Sequence, residues 1–553
     1  ALAYFGPREE TLEGAIKDVD IIFNPPSDSE GFLDYPNIYP VTGDSTKPTH
    51  YKLLVVITSQ IDEIRSRKLL REYLFGIKDN IRPCMEKNGE IYYRFLLKPY
   101  QQADKKVLRD FTAEAVEYDD IEEFPNQSNI NWQKTVLTWI QSLEKQEITF
   151  DYAIIMEDQS IVNLRKLLTI LDSSVINTQT LTPRQKSNLV WGSFDINTND
   201  DMFIILGQES IVTLLDLNYF IKVEETNNTK RKKQPPKLIT QAYRYFIQPN
   251  RIDESDLFFI NDKVGLIEWP NAIEMVPKET TIGVGHVYLE SEKRNVFSHL
   301  SISKITACYP VPHRSDKLSI AVVSSSFVYD NMCMFPVAYI LAENKREYAR
   351  RHGYSFVGRS EEFDQQAHYK HRRTVWGKID SIEKILPHYD WVFWLDMDTV
   401  IANQSISVEW LFEKFTEMVG GKDSFSKIHL VVARPKQDAT INAGVFMIRN
   451  SNWSRNFLRA TQARKDLYHN RQMEQRAMWE LLISPDYKDG TLLLDKDDHT
   501  FNTFPHIYVP GDFVVHWAPD DCPVKPILDA IGKFRQYEMD REFKFTLKHA
   551  PDH

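Results

Sequence analysis

Apolar runs alternate with amphipathic, charged segments through the first half of the chain. Apolar strands are predicted at residues 53–59, 92–98 and 150–158, with charged helices at 61–76 and near 131–144 between them. Helices placed between strands favour a parallel sheet, because each helix carries the chain back across one face before the next strand begins. The pattern therefore predicts an α/β domain in this half.

The same alternation returns in the second half, after a polar stretch at 308–317 that we interpret as the junction between two domains. The predicted elements are a strand at 318–326, a helix at 339–353, a strand at 354–358, a helix at 374–389 and a strand at 391–398. Gly353 ends the first of these helices, at the position where a residue with positive φ is favoured. Two tandem domains of one α/β architecture are therefore expected.

The length of the chain supports two hydrophobic cores. With 553 residues, of which 42% are hydrophobic, the chain is too long for one ordinary core and apolar enough to build two. Residues 1–49 are rich in Pro, Asp and Gly and lack a sustained period, so they are predicted to be a lead-in or linker. We place the first domain at 50–300 and the second at 301–553.

Net charge limits the class of partner. The formal net charge is −11, and nucleic-acid binding draws on dense Lys and Arg surfaces, so no nucleic-acid partner is expected. The one basic run, Lys230–Lys233, is followed by Gln and two Pro residues. We interpret this run as a solvated loop, which is the usual place of a charge cluster.

Cysteine spacing and glycosylation motifs bear on the compartment. The four cysteines show no CxxC or His-flanked spacing, so neither a zinc site nor a disulfide framework is predicted, although the pattern leaves room for one or two disulfides. Motifs of the type Asn-x-Ser/Thr, which permit N-glycosylation, lie at Asn126, Asn227, Asn403 and Asn452. In combination, these features fit a protein of the secretory pathway.

Two aspartates after an apolar strand are the strongest chemical signal in the chain. Asp396 and Asp398 follow the five residues WVFWL at 391–395, and α/β sheets bind ligands where parallel strands end. Side chains at i and i+2 share a face while the chain is extended, so both carboxylates can reach one site. Carboxylate oxygens suit Mg²⁺ or Mn²⁺, which neutralises charge on a departing diphosphate. An acidic surface turn is the alternative, but it gives no reason for a buried strand to end in two carboxylates.

A second apolar strand lies in FVVHWAPDDCP, at 513–523, and it runs into His516. A histidine at a strand end is more often a structural hydrogen-bonding residue than a metal ligand. Its imidazole also has the chemistry to complete an octahedral site with Asp396 and Asp398. From the residues alone, both alternatives stay open.

Residues from about 318 to 520 resemble glycosyltransferase family 34, the group that contains fungal α-galactosyltransferases, fungal α-1,6-mannosyltransferase subunits and plant xyloglucan α-xylosyltransferases. The matching motifs are NKREYARRHGY (344–354), TVWGKIDSI (374–382), WVFWLDMDTVI (391–401), INAGVFMIRNSNW (441–453), MEQRAMWELL (473–482) and GDFVVHW (511–517). Because they occur in family order across the whole segment, the resemblance is far more specific than any single motif.

The resemblance implies a GT-A (Rossmann-like) fold, transfer with retention of the anomeric configuration, and Mn²⁺ as the metal, with Mg²⁺ as the alternative. Asp396, Asp398 and His516 then correspond to metal ligands, and Asp396 also to a donor contact. Asn442 and Gly444 correspond to the lining of the donor sugar pocket, since Asn offers an amide to sugar hydroxyls and Gly permits close approach of the backbone. For these two residues an ordinary turn is the alternative.

Two catalytic residues and a phosphate contact also follow from the resemblance. Glu474 and Gln475 match an acidic-Gln pair near the reacting centre, where they would stabilise an oxocarbenium-like centre and orient the acceptor. A solvated helix face is the alternative for this pair. The family usually follows its metal-binding His with a small-residue turn and a Lys that contacts phosphate, whereas WAPDDCP follows His516 here. The first Lys after it, Lys525, is the candidate for that contact, at a position that departs from the family pattern.

The first half resembles, more faintly, glycosyltransferase family 31, the β-1,3-galactosyltransferase and N-acetylglucosaminyltransferase group. The motifs are VVITSQIDEIRSRKLLRE (55–72), EYDDIEEF (117–124), NWQKTVLTW (131–139), FDYAIIMEDQSIVNLRKLL (150–168) and GQESIVTLL (207–215). Where that family has three aspartates, this chain has Glu157, Asp158 and Gln159, and the neutral Gln lowers the charge available to a metal. We therefore expect a non-catalytic domain, in which Asp262 is the candidate base if activity persists.

The expected function is that of a Golgi-luminal hexosyltransferase, which moves a hexose from UDP-galactose or GDP-mannose to a glycan acceptor. No apolar run of membrane-spanning length appears, so the anchor of a type II membrane protein is expected to precede the chain. A homo-oligomer and a hetero-oligomer are both compatible with the sequence. Two alternatives remain: a non-catalytic glycan-binding or scaffolding subunit of a glycosyltransferase complex, and a bifunctional transferase with an active β-1,3 first domain.

Overall fold

The computed structural model of the chain covers most of the two predicted domains. It describes residues 50–87, 90–100, 103–124, 132–195, 200–225, 238–247, 256–269, 279–305, 307–309, 317–435, 440–494, 501–509, 511–518 and 522–534. The predictions for residues 1–49, the basic run Lys230–Lys233 and the glycosylation motifs at Asn126 and Asn227 lie outside these residues.

The first half is built around a sheet of seven described strands. The strands of this half are β1 (His50–Ser59), β2 (Glu86–Lys87), β3 (Ile91–Leu97), β4 (Ile121–Glu122), β5 (Thr149–Glu157), β6 (Ile161–Val162), β7 (Val175–Ile176), β8 (Gln179–Thr180), β9 (Leu189–Asp195), β10 (Asp200–Gly207), β11 (Phe258–Asn261), β12 (Leu266–Glu268), β13 (Gly283–Gly285) and β14 (Cys308–Tyr309). The central sheet has the order β11-β9-β10-β5-β1-β3-β4, and the smaller sheets are β12-β13-β6, β14-β2 and β7-β8.

The helices of this half are α1 (Ile64–Leu74), α2 (Lys105–Tyr118), α3 (Trp132–Ser142), α4 (Leu164–Ser173), α5 (Pro183–Ser187), α6 (Gln208–Glu225), α7 (Leu238–Phe246) and α8 (Glu290–His299). Helix α2 begins after Asp104, whose side chain accepts a hydrogen bond from the backbone N–H of Val107 at 2.9 Å. It ends at Asp119, which has a φ of 50°. Local capping therefore sets both ends of this helix.

The second half has a central sheet of six described strands. Its strands are β15 (Ile320–Ser325), β16 (Ser355–Arg359), β17 (Trp391–Leu395), β18 (Thr399–Ile401), β19 (Leu430–Ala433), β20 (Val445–Arg449), β21 (Thr491–Leu494) and β22 (Val514–His516). The central order is β16-β15-β17-β20-β19-β21, and β18 pairs with β22. Its helices are α9 (Ala338–His352), α10 (Glu361–Gln365), α11 (Gly377–Ile385), α12 (Val408–Met418), α13 (Lys422–Phe425), α14 (Asn452–Gln462), α15 (Met473–Leu482) and α16 (Pro485–Lys488). Residues 524–534 form a further helix.

The two central sheets share one strand order and one set of directions. Six strands of the first sheet, β3-β1-β5-β10-β9-β11, match the whole second sheet, β16-β15-β17-β20-β19-β21, in order. In each sheet only the fourth strand of that order, β10 or β20, runs antiparallel to both neighbours. The α/β class is confirmed, but the sheets are mixed and not parallel throughout as predicted. Only residues 196–199 separate β9 from β10, which is too short for a crossover connection.

The strands and helices predicted from periodicity are all present, with ends that differ by a few residues. Their apolar runs are buried on both faces of the sheets, as the fully buried strand β17 illustrates. Gly353 ends α9 with a φ of 73°, in the left-handed conformation expected for it. Helix α2 and strands β9, β10, β19 and β20 are among the elements that were not predicted.

The two halves pack directly against each other through α2. This helix contacts α9 and β16 of the second half, and its Val116 is buried in a core cluster of that half. Across the boundary, Arg346 donates a hydrogen bond to the carbonyl of Val116, and Arg350 forms an ion pair of 2.9 Å with Asp119. Residues Ile305 and Ala307 belong to the core of the first half, so this unit extends beyond the predicted boundary at residue 300.

All four cysteines are paired. The disulfides are Cys84–Cys308 and Cys333–Cys522, with sequence separations of 224 and 189 residues. Spacing did not predict these pairs, because partners so far apart in sequence are brought together only by the folded chain.

Of the two glycosylation motifs that the structure describes, Asn403 is buried and Asn452 is exposed. The amide of Asn403 donates to the carbonyl of Gly511 at 3.1 Å, and its oxygen accepts a bond from the Ser405 hydroxyl. The folded chain therefore has no room for a glycan at Asn403. Among the helices of the described residues, none has the length and apolar character to cross a membrane.

Candidate active site

The buried strand β17 delivers two carboxylates to one edge of the second sheet. Asp396 follows the last strand residue, and its backbone N–H donates to the carbonyl of Gly444 at 2.8 Å. The indole N–H of Trp394 donates to Oδ1 of Asp396 at 2.7 Å, so the carboxylate orientation is set by its own strand. Asp398 lies two residues on, before β18 begins at Thr399.

Strand pairing brings His516 to these carboxylates. Strands β18 and β22 are antiparallel with Thr399 opposite His516, so the ring lies beside Asp398. The distance from His516 Nε2 to Asp398 Oδ1 is 3.4 Å. Within the part of the chain that the structure describes, Asp396, Asp398 and His516 are the one group of three or more acidic, His or Cys side chains whose ligand atoms all lie within 4.8 Å of one another. We call these three residues the ligand triad.

The ligand triad fits a divalent cation by its donors and by its packing. Nδ1 of His516 is buried and finds no hydrogen-bond partner among the described residues, which is unusual for a buried polar atom. Two carboxylates and one imidazole suit Mn²⁺. Burial opposes ionisation of Asp398, but His516 outweighs it and holds the pKa of the Asp398 carboxyl below its usual value. Asp398 therefore presents an ionised carboxylate oxygen at a partly exposed position.

Residues 442–444 form a turn that closes one side of the triad. Oδ1 of Asn442 accepts hydrogen bonds from the Gly444 N–H and the Asn502 amide, each at 3.0 Å. Gln475 Oε1 accepts from the backbone N–H of Ala443 at 3.0 Å. A Cβ atom at Gly444 would lie 2.1 Å from Cε1 of His516, so only glycine leaves space for the ring. The turn at 442–444 therefore leaves the space beside Gly444 to the His516 ring.

Lys378 and Glu474 form a buried ion pair behind Asp396. Lys378 Nζ lies 2.9 Å from Asp396 Oδ1 and 3.2 Å from Glu474 Oε1, and it donates to the carbonyl of Ala443 at 2.9 Å. Burial disfavours the ammonium, but the two carboxylates outweigh it and raise the pKa of Lys378. Burial raises the pKa of Glu474 although Lys378 opposes this, and Asp396 adds to the rise. Glu474 therefore does not lie on a solvated helix face.

Three residues of this site were not identified from the sequence. Lys378 lies inside the motif TVWGKIDSI. The signal that could have identified it is the presence of a lysine among apolar residues that are predicted to be buried. Lys345 is fully buried and donates to the carbonyl of Thr399 at 2.7 Å, which ties α9 to the first residue of β18, next to Asp398. Burial lowers the pKa of Lys345 to about 7. Burial, and after it the carboxylates of Asp396, Glu474 and Asp398, raises the pKa of Tyr329, which packs against the core cluster that contains Trp394.

Lys525 stands apart from these contacts. It is exposed on the helix at 524–534, which packs through its apolar side against Trp517 and Cys333. Among the described residues, no hydrogen bond or ion pair joins Lys525 to the ligand triad. Its role as a phosphate contact stays a prediction.

The corresponding strand end of the first half is arranged differently. Glu157 pairs with Lys98 at 2.8 Å, and the buried Asp158 carboxylate accepts a hydrogen bond of 2.5 Å from the Ser59 hydroxyl. Burial raises the pKa of Asp158 to about 6. The candidate base Asp262 caps its own turn through the N–H groups of residues 264 and 265, and it accepts from the Trp191 indole at 3.3 Å. These carboxylates serve internal contacts, and within the described residues they form no three-ligand group.

Comparison with known families addresses the second half. A profile described as the galactosyl transferase GMA12/MNN10 family matches residues 319–524. The C-terminal half resembles this family. The predicted resemblance to glycosyltransferase family 34, of which the GMA12/MNN10 profile is the representative, is therefore confirmed for that segment.

Relatives of the GMA12/MNN10 segment include fungal and plant proteins. The probable alpha-1,6-mannosyltransferase MNN10 of Saccharomyces cerevisiae is 30% identical over 135 residues, which is 21% of this chain and 34% of that protein. An alpha-1,2-galactosyltransferase of Schizosaccharomyces pombe is 28% identical over 170 residues, 25% of this chain and 44% of that protein. The putative glycosyltransferase 7 of Arabidopsis thaliana is 24% identical over 210 residues, 36% of this chain and 43% of that protein. The chain thus spans less than half the length of these relatives.

Solved structures add little to the GMA12/MNN10 match. A glycosyltransferase involved in glycosylation of the major capsid of PBCV-1 has 16% identity and a TM-score of 0.28, covering 38% of this chain and 99% of that one. The bifunctional glycosyltransferase WbbM has 9% identity and a TM-score of 0.30, covering 86% of this chain and 94% of that one. TM-scores of this size carry no argument. The fainter resemblance of the first half to glycosyltransferase family 31 finds no support in these matches.

Proposed function

We propose that the second half is a metal-dependent, retaining glycosyltransferase domain of the GT-A type, which moves galactose from UDP-galactose or mannose from GDP-mannose to a glycan. The observation that carries this proposal is the convergence of Asp396, Asp398 and His516 inside the segment that matches the GMA12/MNN10 family. A surface turn or a structural histidine has no need for three ligand atoms within 4.8 Å of one another. Relatives named as mannosyltransferase and galactosyltransferase support both donors equally.

A bound Mn²⁺, with Mg²⁺ as the alternative, would neutralise charge on the diphosphate of the donor. The protein's own part is to hold the ligands ready. Trp394 and Lys378 fix the carboxylate of Asp396 from two sides, at 2.7 and 2.9 Å. Second contacts of this kind keep a ligand in its binding orientation before the ion arrives.

Glu474 and Gln475 act on the donor side of the site in this proposal. Glu474 keeps a carboxylate within 3.2 Å of Lys378, so negative charge is available near a developing oxocarbenium-like centre. Gln475 holds the turn 442–444, in which Asn442 and Gly444 would contact the donor sugar. Lys525 would reach the diphosphate only from the following helix.

The first half is non-catalytic in this proposal, although its sheet has the same strand order. Asp158 is tied to Ser59 and Glu157 to Lys98, so neither carboxylate is held ready for a cation. We therefore place the activity of the chain in the second half alone.

The Golgi lumen is the compartment that fits this activity best. Two disulfides, Cys84–Cys308 and Cys333–Cys522, are the expected state of an oxidising compartment and not of the cytosol. The exposed motif at Asn452 is compatible with passage through the secretory pathway.

A donor-hydrolysis and transfer assay tests the proposal. The full chain is incubated with Mn²⁺ and a panel of nucleotide sugars, and released nucleotide is measured with and without glycan acceptors. Asp398→Ala should abolish turnover, because it removes a ligand that no neighbour replaces. Asp158→Ala, the matched change at the strand end of the first half, should leave turnover nearly unchanged. Turnover that survives Asp398→Ala but fails in Asp158→Ala would move the activity to the first half.

A further inference from the structure

The loop at 326–330 carries Tyr329 and leaves β15 at the sheet edge where β17 delivers Asp396, because Ser324 pairs with Leu395. It follows directly after β15 and leads the chain towards the site. The rings of Phe327 and Tyr329 meet edge to face, with centroids 5.6 Å apart. Tyr329 packs against the core cluster that contains Trp394 and Ala443, and the Trp394 indole donates to Asp396. A shift of this loop would therefore move Tyr329 relative to Trp394 and the strand end that carries the triad aspartates.

The first half holds the start of this loop through Glu117, the penultimate residue of α2. Glu117 Oε1 accepts hydrogen bonds from the hydroxyls of Ser326 at 2.8 Å and Ser360 at 2.6 Å. Both serines follow strand ends of the second sheet, since β15 ends at Ser325 and β16 at Arg359. Bonds from two hydroxyls to one carboxylate are of the stronger, charge-assisted kind. One residue of the first half thus joins two neighbouring loops of the second.

Arg109 of the same helix holds the next part of the loop. Its guanidinium lies 5.1 Å from the centroid of the Phe327 ring, in cation–π geometry. Its Nη1 also lies 2.6 Å from Oδ1 of Asp330. The Asp330 side chain is 93% exposed, so this ion pair contributes little to stability, and the ring contact is the stronger of the two. Glu117 and Arg109 are about two helical turns apart and face the loop together.

Phe327 connects this contact to the metal ligands by a second route. Its ring stacks on Phe363 with centroids 6.3 Å apart, and Phe363 stacks on Trp394 at 6.2 Å. Trp394 in turn donates to Asp396. The loop under α2 is therefore packed against the residues that orient the first carboxylate of the triad.

We propose that helix α2 of the first half is a positioning element for the active site of the second half, and that Glu117 and Arg109 hold loop 326–330, and with it Tyr329, against the ligand triad. This inference rests on the proposed function for its catalytic consequence, but not for its structural one. Glu117 and Arg109 are positioning residues, because they reach the site only through the loop. The first half then acts on transfer chemistry without a metal site of its own.

The structural consequence is measured by hydrogen–deuterium exchange of the full chain, which needs no turnover. In Glu117→Ala we expect the peptide that covers residues 326–332 to exchange about tenfold faster, since its opening free energy falls by roughly the value of one charge-assisted hydrogen bond. Strand β17 should exchange as in the unsubstituted chain. Glu117→Gln keeps an acceptor oxygen and should restore most of the protection. Glu144→Ala, an exposed glutamate of the first half, is the control and should change neither region.

The catalytic consequence is measured on the same variants as kcat and KM for the donor. A misplaced loop should lower kcat by about tenfold to a hundredfold in Glu117→Ala with a smaller change in KM, and Glu117→Gln should recover it. Unchanged exchange of 326–332 in a folded Glu117→Ala protein overturns the inference, whatever happens to turnover. If Glu117→Ala does not fold, Ser326→Ala removes the same hydrogen bond from the loop side, and unchanged exchange there overturns it equally. A chain that turns over no donor refutes the proposed function, while the exchange experiment still decides the inference.

Discussion

Gly444 lies directly beside the imidazole of His516, and we predict that Gly444→Ala disables the metal site. A Cβ atom at Gly444 would lie 2.1 Å from Cε1 and 2.8 Å from Nε2 of His516. Ordinary van der Waals contact begins at 3.4 Å, so the ring would have to move by about 1.3 Å. Overpacking of this kind costs about 1–3 kcal/mol of folding free energy.

The ring has little room for such a movement. His516 is buried, its ring stacks on Phe504 with centroids 5.9 Å apart, and its backbone N–H donates to the carbonyl of Thr503 at 2.8 Å. Pairing of His516 with Thr399 fixes the strand that carries it. The displaced imidazole would lose its place beside Asp398, and a misplacement of about 1 Å can cost about a hundredfold in rate.

Isothermal titration calorimetry of the purified protein with Mn²⁺ measures the expected effect directly. We expect the metal affinity of Gly444→Ala to fall by about tenfold to a hundredfold, as for other changes next to a ligand. Gly532→Ala is the matched control, because a Cβ there meets nothing within 4 Å. If Gly444→Ala bound Mn²⁺ as tightly as the unsubstituted chain, His516 would not be a ligand in the arrangement described.

Three further predictions concern stability and can be tested by denaturant unfolding. Lys378→Met should lower the unfolding free energy by about 3–5 kcal/mol, because it leaves the buried Glu474 carboxylate without its partner; a loss below about 1 kcal/mol would contradict the buried pair. Asp158 has a folded-state pKa of about 6, above the ordinary 3.8, so its contribution to stability is lost as pH rises through this window. The unfolding free energy of Asp158→Asn, relative to that of the unsubstituted chain, should therefore rise by about 2–3 kcal/mol from about pH 4 to about pH 8. A difference that does not depend on pH would refute the shifted pKa. Serine at both Cys333 and Cys522 should cost up to about 5 kcal/mol, given the 189-residue separation, and an unchanged midpoint would show that this bridge does not constrain the unfolded chain.

Local pattern was enough to predict the opening strands and helices of each half, among them β1, β3, β5, β15, β16 and β17. The run at 391–395 shows why, since five consecutive apolar side chains are all buried and the two acidic residues follow where the strand ends. Periodicity depends on near neighbours in sequence, so it survives without knowledge of the fold. It did not predict α2, which is buried between the two halves, with Phe111 against the first and Val116 against the second.

The predicted strands of each central sheet are parallel to one another, as expected, but the sheets also contain antiparallel strands that were not predicted. Strands β10 and β20 run antiparallel to their neighbours, although their apolar runs look like those of the parallel strands. A buried strand has the same composition in either direction, and the connection decides which one is formed.

The residues of the candidate site also fall into two groups, those that the sequence identified and those that it did not. Asp396 and Asp398 were found from the sequence because they are adjacent to each other and to a strand end, and His516 was found through family motifs. Lys378 and Glu117 were not, because their meaning lies in partners from other elements; Glu117 meets Ser326 across 209 residues.

The sequence by itself therefore determined the opening strands and helices of each half and where two carboxylates leave the sheet, since those features depend on side chains a few residues apart. Only the tertiary structure decided that a lysine lies against one of these carboxylates and that a helix from the first half holds a loop at the same sheet edge. Ion pairs, ligand sets and disulfides form between segments that packing brings together. No local pattern of apolar and polar residues encodes which distant segments will meet.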